Sequence, residues 1–269
     1  MKIYAPGEQW LPGEFPALLA IGDSWFWYPK SNLLYAIATH PRVQDPYRQI
    51  QSLGYIGAKL EEYVFGRYAK QFAWELRPEN MPYYSFVRIG GAGNDAVDYG
   101  LGLKRNCSKA QTPEDCIEEA AMDALMGRLG TALGAMTHQV WRAAGKQGLH
   151  PAVILHSYDY PIPDGRGFKL ETLKITGPWL APAMDERQVP NDPDLRRKIC
   201  RILIDRLAEE FSQFADPGKR IYLVNSRGCL VSPNYLEDWD NELHPTREGF
   251  QRIVNERWID TLKELAIAV

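Results

Sequence analysis

Short, mainly apolar stretches recur along the chain and alternate with longer amphipathic stretches. The stretch at residues 16–22 contains Ala, Leu, Leu, Ala and Ile without a polar interruption, which is typical of a strand that is buried on both faces. The pattern predicts five strands, at residues 16–22, 47–53, 84–89, 151–156 and 220–225.

The longer stretches between these strands are predicted to be helices. In the stretch that begins at Asp194, apolar residues follow one another at steps of three and four, as on the buried face of a helix. Another stretch opens with Thr112 and Pro113, residue types that favour the first positions of a helix. The predicted helices cover residues 32–39, 57–68, 112–143, 194–214 and 246–265.

Strands that are separated by helices indicate a mostly parallel sheet with helices on both faces. The strands are too few for an eight-fold barrel, and a single domain over residues 1–269 accommodates them. We therefore predict an α/β fold, a flavodoxin-like three-layer α/β/α sandwich with about five mostly parallel strands. Functional sites of such sheets lie at the carboxyl ends of the strands.

Composition and charge narrow the possible functions. The net charge of −3 and the lack of a strongly basic stripe argue against a nucleic acid as partner. The first residues lack the apolar stretch of a signal peptide, and every apolar run is far shorter than a membrane span, so we expect a soluble, cytoplasmic protein. The four cysteines match no zinc-binding spacing, and we expect reduced thiols, no metal and no cofactor.

Ser24 follows the first predicted strand in the stretch Gly22-Asp23-Ser24, and four aromatic residues come directly after it. A serine at this position presents its hydroxyl at the edge of the sheet, where it acts as a nucleophile if a base removes its proton. The alternative is that Ser24 only caps the next helix, as Ser and Asp often do.

His244 stands in more acidic surroundings than the other histidines. It precedes Pro245 and the last predicted helix, and Asp238, Asp240 and Glu242 lie within a few residues of it. A carboxylate beside a histidine selects the tautomer and stabilises the imidazolium, so His244 is a candidate base. A solvated, charged surface loop would explain the same residues.

Residues 90–95, Gly-Gly-Ala-Gly-Asn-Asp, follow the third predicted strand. They lack the Lys-Ser/Thr ending of a phosphate-binding loop and the glycine spacing of a dinucleotide-binding fingerprint. The glycines allow the backbone to come close to a ligand, and the side-chain amide of Asn94 is able to donate to an oxyanion. A flexible turn is the alternative interpretation.

Taken together and in this order, the three stretches resemble those of the SGNH (GDSL-like) hydrolase family, over roughly residues 18–265. The resemblance implies that Ser24 is the nucleophile and that His244 is the base. It also implies that the Ser24 N–H, a glycine after the second strand and the Asn94 amide hold the oxyanion. Gly54 and Gly57 both qualify for the glycine, and we favour Gly57 because it stands where the next helix is predicted to begin.

Two positions depart from the pattern of the family. Ala92 stands two places before Asn94, where the family usually has glycine. Asn241 stands three places before His244, where the family usually has its acid, and Asp240 stands four places before it. Asparagine orients an imidazole but does not neutralise its positive charge, so we favour Asp240 as the residue that supports His244. The alternative is that Asn241 or a main-chain carbonyl orients the imidazole in a dyad of Ser24 and His244.

The resemblance implies a serine esterase that forms an acyl-serine intermediate on a small-molecule or glycan ester. One alternative is an O-acetyl esterase that acts on sugars or polysaccharides. Another is a catalytically impaired relative that binds a ligand or partner, which the asparagine at position 241 would suit. The oligomeric state is left open by the sequence.

Specificity is predicted to depend on the long connection at about residues 158–190, which is rich in aromatic residues and proline. We interpret it as a cap insertion over the site, the alternative being an insertion that only packs against the domain. The aromatic residues at 25–28 are predicted to form the wall of a pocket beside Ser24.

Overall fold

A central parallel sheet organises the protein, whose computed structural model describes residues 2–28, 31–170 and 173–269. The strands are β1 (Lys2–Tyr4), β2 (Leu18–Gly22), β3 (Gln49–Gly54), β4 (Phe86–Ile89), β5 (Ala152–His156), β6 (Phe168–Leu170), β7 (Leu173–Thr176) and β8 (Ile221–Val224). The sheet has six parallel strands in the order β1-β3-β2-β4-β5-β8, whereas β6 and β7 form a separate antiparallel hairpin.

Helices connect the strands. They are α1 (Leu33–Ala38), α2 (Glu62–Phe65), α3 (Ala69–Glu75), α4 (Gly93–Asp98), α5 (Glu119–Gly145), α6 (Leu180–Glu186), α7 (Pro193–Ser212), α8 (Arg247–Ile253) and α9 (Ile259–Glu264). A π-helical turn joins α8 to α9. At the start of α8, the hydroxyl of Thr246 accepts a hydrogen bond from the N–H of Gly249, so the sequence Thr-Arg-Glu-Gly defines where this helix begins.

The sheet lies between two groups of helices. On one side α1 packs against α8, and on the other α5 packs against α7 and α2. The side chains of β2 and β5 are buried along the whole of both strands, because both faces of the sheet are covered. The fold is therefore the predicted three-layer α/β/α sandwich of flavodoxin type.

All five predicted strands are confirmed as β2, β3, β4, β5 and β8, with ends that differ by a few residues. The sixth strand, β1, was not predicted. It is a three-residue strand at the edge of the sheet, paired only with β3, and only its last residue is buried. Such a short, half-exposed segment carries too little hydrophobic pattern to be recognised.

Two predicted helices begin later than the sequence indicates. The helix predicted from residue 112 begins at Glu119, because Ile117 is extended and pairs with Leu103 in an isolated bridge. The helix predicted over residues 57–68 is reduced to the short α2, because Gly57 adopts a left-handed conformation with φ of 69°. Residues 57–61 therefore form a loop at the edge of the sheet.

Three general properties bear on the function. None of the helices in the described ranges is long and apolar enough to cross a membrane. No grouping of three or more His, Cys, Asp and Glu side chains suited to a metal ion occurs among the residues that the structure describes. All four cysteines are buried free thiols.

Candidate active site

The carboxyl ends of three neighbouring strands bring the predicted site residues together. Because β2 pairs in parallel with both β3 and β4, the loops after these strands lie side by side. Ser24, Gly57 and Asn94 come from these loops, and they line one pocket together with His244. The fifth predicted residue, Asp240, lies behind this group.

Ser24 is positioned by a tight turn directly after β2. The carboxylate of Asp23 caps this turn by accepting a hydrogen bond from the N–H of Trp25 at 3.0 Å. Asp23, and not Ser24, therefore caps this turn. The Ser24 hydroxyl instead lies 2.6 Å from Nε2 of His244. A β-carbon at Gly22 would lie 2.8 Å from the carbonyl oxygen of Gly90, so glycine is required where the chain leaves the strand.

Asn241 holds the imidazole of His244 from the other side. Its Oδ1 lies 2.9 Å from Nδ1 of His244 and also accepts hydrogen bonds from the N–H groups of Leu243 and His244, each at 3.0 Å. An atom that accepts two N–H bonds must be the amide oxygen, so Nδ1 must carry the proton. His244 is thereby held with Nε2 unprotonated and able to accept the proton of Ser24.

Asp240 takes a different place from the one that the sequence predicts. The turn folds back so that the N–H of Asp240 donates to the carbonyl oxygen of His244 at 2.9 Å, and this brings the side chain of Asn241 onto the imidazole. The Asp240 carboxylate accepts hydrogen bonds from the Tyr28 hydroxyl and, at 3.3 Å, from Nδ2 of Asn241. The residue that meets Nδ1 is thus Asn241 rather than the expected Asp240.

Tyr28 completes this network, a role that goes beyond the pocket wall predicted from the sequence for residues 25–28. Its hydroxyl accepts a hydrogen bond from Nδ2 of Asn241 at 3.0 Å, and its ring stacks on the His244 imidazole with centroids 4.1 Å apart. The oxygen and the nitrogen of the Asn241 amide are therefore both engaged, which prevents the side chain from turning over. Only the nearness of Tyr28 to Ser24 in the sequence gave a signal for this role.

The environment of His244 favours its neutral form. Burial lowers the pKa of His244 to about 3, and the negative charge of Asp240 acts in the opposite direction. The imidazole is therefore uncharged near neutral pH, as a base that accepts the proton of Ser24 must be.

Of the two glycines that qualified for the oxyanion site, the geometry favours Gly57. Gly57 lines the pocket with Ser24, and no atom lies within 4 Å of the place that its β-carbon would take. Gly54 is packed behind Phe26, and its N–H already donates to the hydroxyl of Ser52 at 3.1 Å. Gly57 stands in a loop, however, and not at the start of a helix as predicted.

Asn94 stands in the first turn of α4, where it lines the same pocket as Ser24. One N–H of this amide donates to the carbonyl oxygen of Ala58 at 3.0 Å, which fixes the side chain between the loops that follow β3 and β4. Ala92, just before it, has a φ of 100°, a conformation that favours glycine. The backbone therefore turns at this point as a glycine would, although the residue is alanine.

Two of the four aromatic residues at positions 25–28 line the site, and two do not. Trp25 and Tyr28 contribute to the cavities beside Ser24. Phe26 is buried against His156 beneath the sheet edge, and Trp27 is 39% exposed. The predicted aromatic wall thus consists of Trp25 and Tyr28, because the turn after Ser24 directs successive side chains to different sides.

Glu242 ties the long connection at about residues 158–190 to the His244 loop, and the sequence did not reveal this role. Residues 171 and 172 of the connection lie outside the described residues. The Glu242 carboxylate is fully buried and accepts hydrogen bonds from the N–H groups of Gly165, Trp179, Leu180 and Ala181, at 2.6–2.9 Å. Three of these N–H groups lie at the start of α6, where a negative charge is favourable.

We expect the substitution Glu242→Gln to lower the free energy of unfolding by about 3 kcal/mol, because it weakens several charge-assisted hydrogen bonds and turns an N–H donor toward buried N–H groups. Chemical denaturation measures this difference. The matched control is Glu237→Gln, at an exposed residue of the same loop, which should change the stability by less than about 0.5 kcal/mol. Equal stability of the two variants would contradict the anchoring role.

Two cavities meet at Ser24 and Asn94. The first, which we call the aliphatic cavity, is lined by Leu101, Met126, Leu129, Leu180, Leu203 and Leu207, together with Trp25, Tyr158 and Trp239. The second, which we call the aromatic pocket, is lined by Tyr28, Ile56, Gly57, Phe168, Trp179 and His244. Ser24 thus stands at the junction of these two cavities.

Comparison with solved structures places this architecture among known folds. The structure is similar to that of a lipase from a goat rumen metagenome, with a TM-score of 0.54 and 12% identity over 93% of this chain and 97% of that one. It is also similar to a candidate GDSL-like lipase from Bacteroides ovatus, with a TM-score of 0.52 and 11% identity over 95% of this chain and 55% of that one. No protein-family model matches the sequence, and no curated protein sequence is significantly similar to it. The chain has the fold of the SGNH (GDSL-like) hydrolases.

Proposed function

We propose that the protein is a serine-dependent hydrolase of carboxylic esters, with Ser24 as nucleophile and His244 as base. The observation that carries this proposal is the hydrogen-bonded series Ser24–His244–Asn241, in which Asn241 fixes the imidazole in the tautomer that accepts the serine proton. The fold is shared with the two lipase-like structures, which is consistent with the same class of chemistry.

In the proposed reaction, Nε2 of His244 takes the proton of Ser24 while the Ser24 oxygen attacks the ester carbonyl carbon. The negative charge that develops on the carbonyl oxygen is stabilised by the N–H groups of Ser24 and Gly57 and by the amide of Asn94. His244 then gives the proton to the alkoxide that leaves, and an acyl-serine remains. Water, activated by the same imidazole, releases the carboxylic acid and restores Ser24.

Asn241 takes the place of the carboxylate in the more common serine triad. Its amide oxygen supports the imidazolium as a dipole, and the Asp240 carboxylate accepts a hydrogen bond from the other end of the same amide. The face of Tyr28 adds a stacking contact that becomes a cation–π interaction when His244 is protonated. These three groups together support an active hydrolase over the alternative of an impaired, binding-only relative.

The connection at about residues 158–190 is proposed to act as the cap over this site. Phe168 and Trp179 from this connection line the aromatic pocket, and Trp179 stands 5.6 Å from His244 between ring centroids. The contacts of Glu242 hold α6 against the His244 loop. The substrate is therefore expected to be an ester that enters beneath these aromatic residues.

Transfer of the acyl group to methanol tests the acyl-serine intermediate. Wild-type protein is given p-nitrophenyl butyrate or ethyl butyrate in buffer with methanol, and butyrate and methyl butyrate are quantified. A common acyl-enzyme partitions between water and methanol in a ratio that does not depend on the alcohol that has left. A ratio that differs between the two esters would contradict the intermediate, and a lack of hydrolysis would contradict the proposed function.

A further inference from the structure

We infer that the aliphatic cavity binds the acyl group of the ester, as a hydrocarbon chain longer than acetyl, and that the alcohol group lies in the aromatic pocket. This inference rests on the proposed function. It assigns a substrate class to the site and distinguishes an acylhydrolase for longer chains from an O-acetyl esterase.

The position of His244 determines which side of the ester lies in which cavity. The oxygen of the leaving alcohol must lie near Nε2 of His244, because this atom returns the proton. His244 lines the aromatic pocket and does not line the aliphatic cavity. Ser24 and Asn94 border both cavities, so the carbonyl group sits between them. The acyl chain therefore extends away from His244, into the aliphatic cavity.

The lining of the aliphatic cavity suits hydrocarbon rather than sugar. Helices α5, α6 and α7 contribute leucine, isoleucine and methionine side chains to its walls, and Trp25, Tyr158 and Trp239 add aromatic ones. Two carboxylates also border it, but their oxygens already have internal donors. Asp23 accepts from the N–H of Trp25 and the hydroxyl of Tyr158, and Asp159 accepts from three successive N–H groups that begin at Gly228. A hydroxyl-rich group placed here would lose its hydrogen bonds to water.

The size of the cavity sets an expectation for chain length. Its apolar walls come from three helices and the loops beside them, and a single acetyl methyl group contacts only a small part of them. Each additional methylene group that leaves water for these walls should raise kcat/KM by about fourfold until the cavity is full. A short acyl group would leave most of the apolar walls without a partner.

A chain-length series with a constant alcohol tests the inference. We expect kcat/KM of the wild-type protein to rise by about fourfold per methylene from p-nitrophenyl acetate to the hexanoate. Leu203 of α7 lines the cavity, so Leu203→Trp should lower the ratio of hexanoate to acetate kcat/KM by tenfold or more. Leu203→Ala, which enlarges the cavity, should move the optimum to longer chains. Thermal unfolding confirms that each variant is folded.

Ile56→Trp is the matched control, because it narrows the aromatic pocket at a residue that is 57% exposed. It should leave the hexanoate-to-acetate ratio within about twofold of wild type. A wild-type preference for acetate, or the same ratio in all folded Leu203 variants, would overturn the inference while ester hydrolysis itself stands. Protein that hydrolyses none of these esters would instead contradict the proposed function.

Discussion

Replacing Ser24 with alanine is expected to lower kcat/KM for p-nitrophenyl butyrate by at least about 10⁴-fold. The substitution removes the oxygen that attacks the ester, which is the hydroxyl that lies 2.6 Å from Nε2 of His244. The remaining rate would come from the oxyanion donors and from substrate binding alone.

The stability of Ser24→Ala should stay within about 1 kcal/mol of wild type, because Asp23 and not Ser24 caps the turn. Ser226→Ala is a matched control, since Ser226 is a buried serine that borders neither cavity. It should keep kcat/KM within about threefold of the wild-type value. Equal activity of Ser24→Ala and wild-type protein would exclude Ser24 as nucleophile.

Replacing Asn241 with alanine is expected to lower kcat by about 10²- to 10⁴-fold, with a much smaller change in KM. Without the amide oxygen, the imidazole of His244 loses the acceptor that keeps its proton on Nδ1 and its ring directed at Ser24. The substitution impairs proton transfer and not substrate binding, so kcat falls much more than KM changes.

Asp240→Ala is the informative comparison, because this carboxylate contacts Asn241 and Tyr28, which in turn contact the imidazole of His244. We expect it to lower kcat by about tenfold, because it removes a negative charge that stabilises the protonated imidazole. Steady-state kinetics are measured for both variants and for Asn241→Gln, which retains the amide. The comparison distinguishes the orientation of the His244 imidazole by Asn241 from the effect of the Asp240 charge. A larger loss in Asp240→Ala than in Asn241→Ala would restore the assignment to Asp240, which the sequence favours because of its charge.

The sequence predicts most of the framework of the site, for a physical reason. Buried parallel strands are recognisable as short apolar runs, and their carboxyl ends meet at one edge of the sheet. This is enough to place Ser24 after β2 and Asn94 after β4 at the same edge. The hydroxyl of Thr246, as a helix cap, likewise places His244 just before α8.

The details that the sequence does not predict depend on how short loops close. Asp240 and Asn241 are neighbours in sequence, and the backbone hydrogen bonds between this turn and the carbonyl of His244 decide which side chain meets the imidazole. Gly57 lies in a loop, because its left-handed conformation interrupts the predicted helix. The stacking of Tyr28 and the contacts of Glu242 join segments that are far apart in sequence, so no local pattern reveals them.

Covalent labelling of Ser24 tests directly whether this residue is the activated nucleophile. The wild-type protein is treated with diisopropyl fluorophosphate, which phosphorylates activated serines, and the modified residue is identified by mass spectrometry of its peptides. We expect one label per chain, located on Ser24, with complete loss of ester hydrolysis and no label in Ser24→Ala. A label on another residue that abolishes activity, or full activity of protein labelled on Ser24, would contradict this role of Ser24.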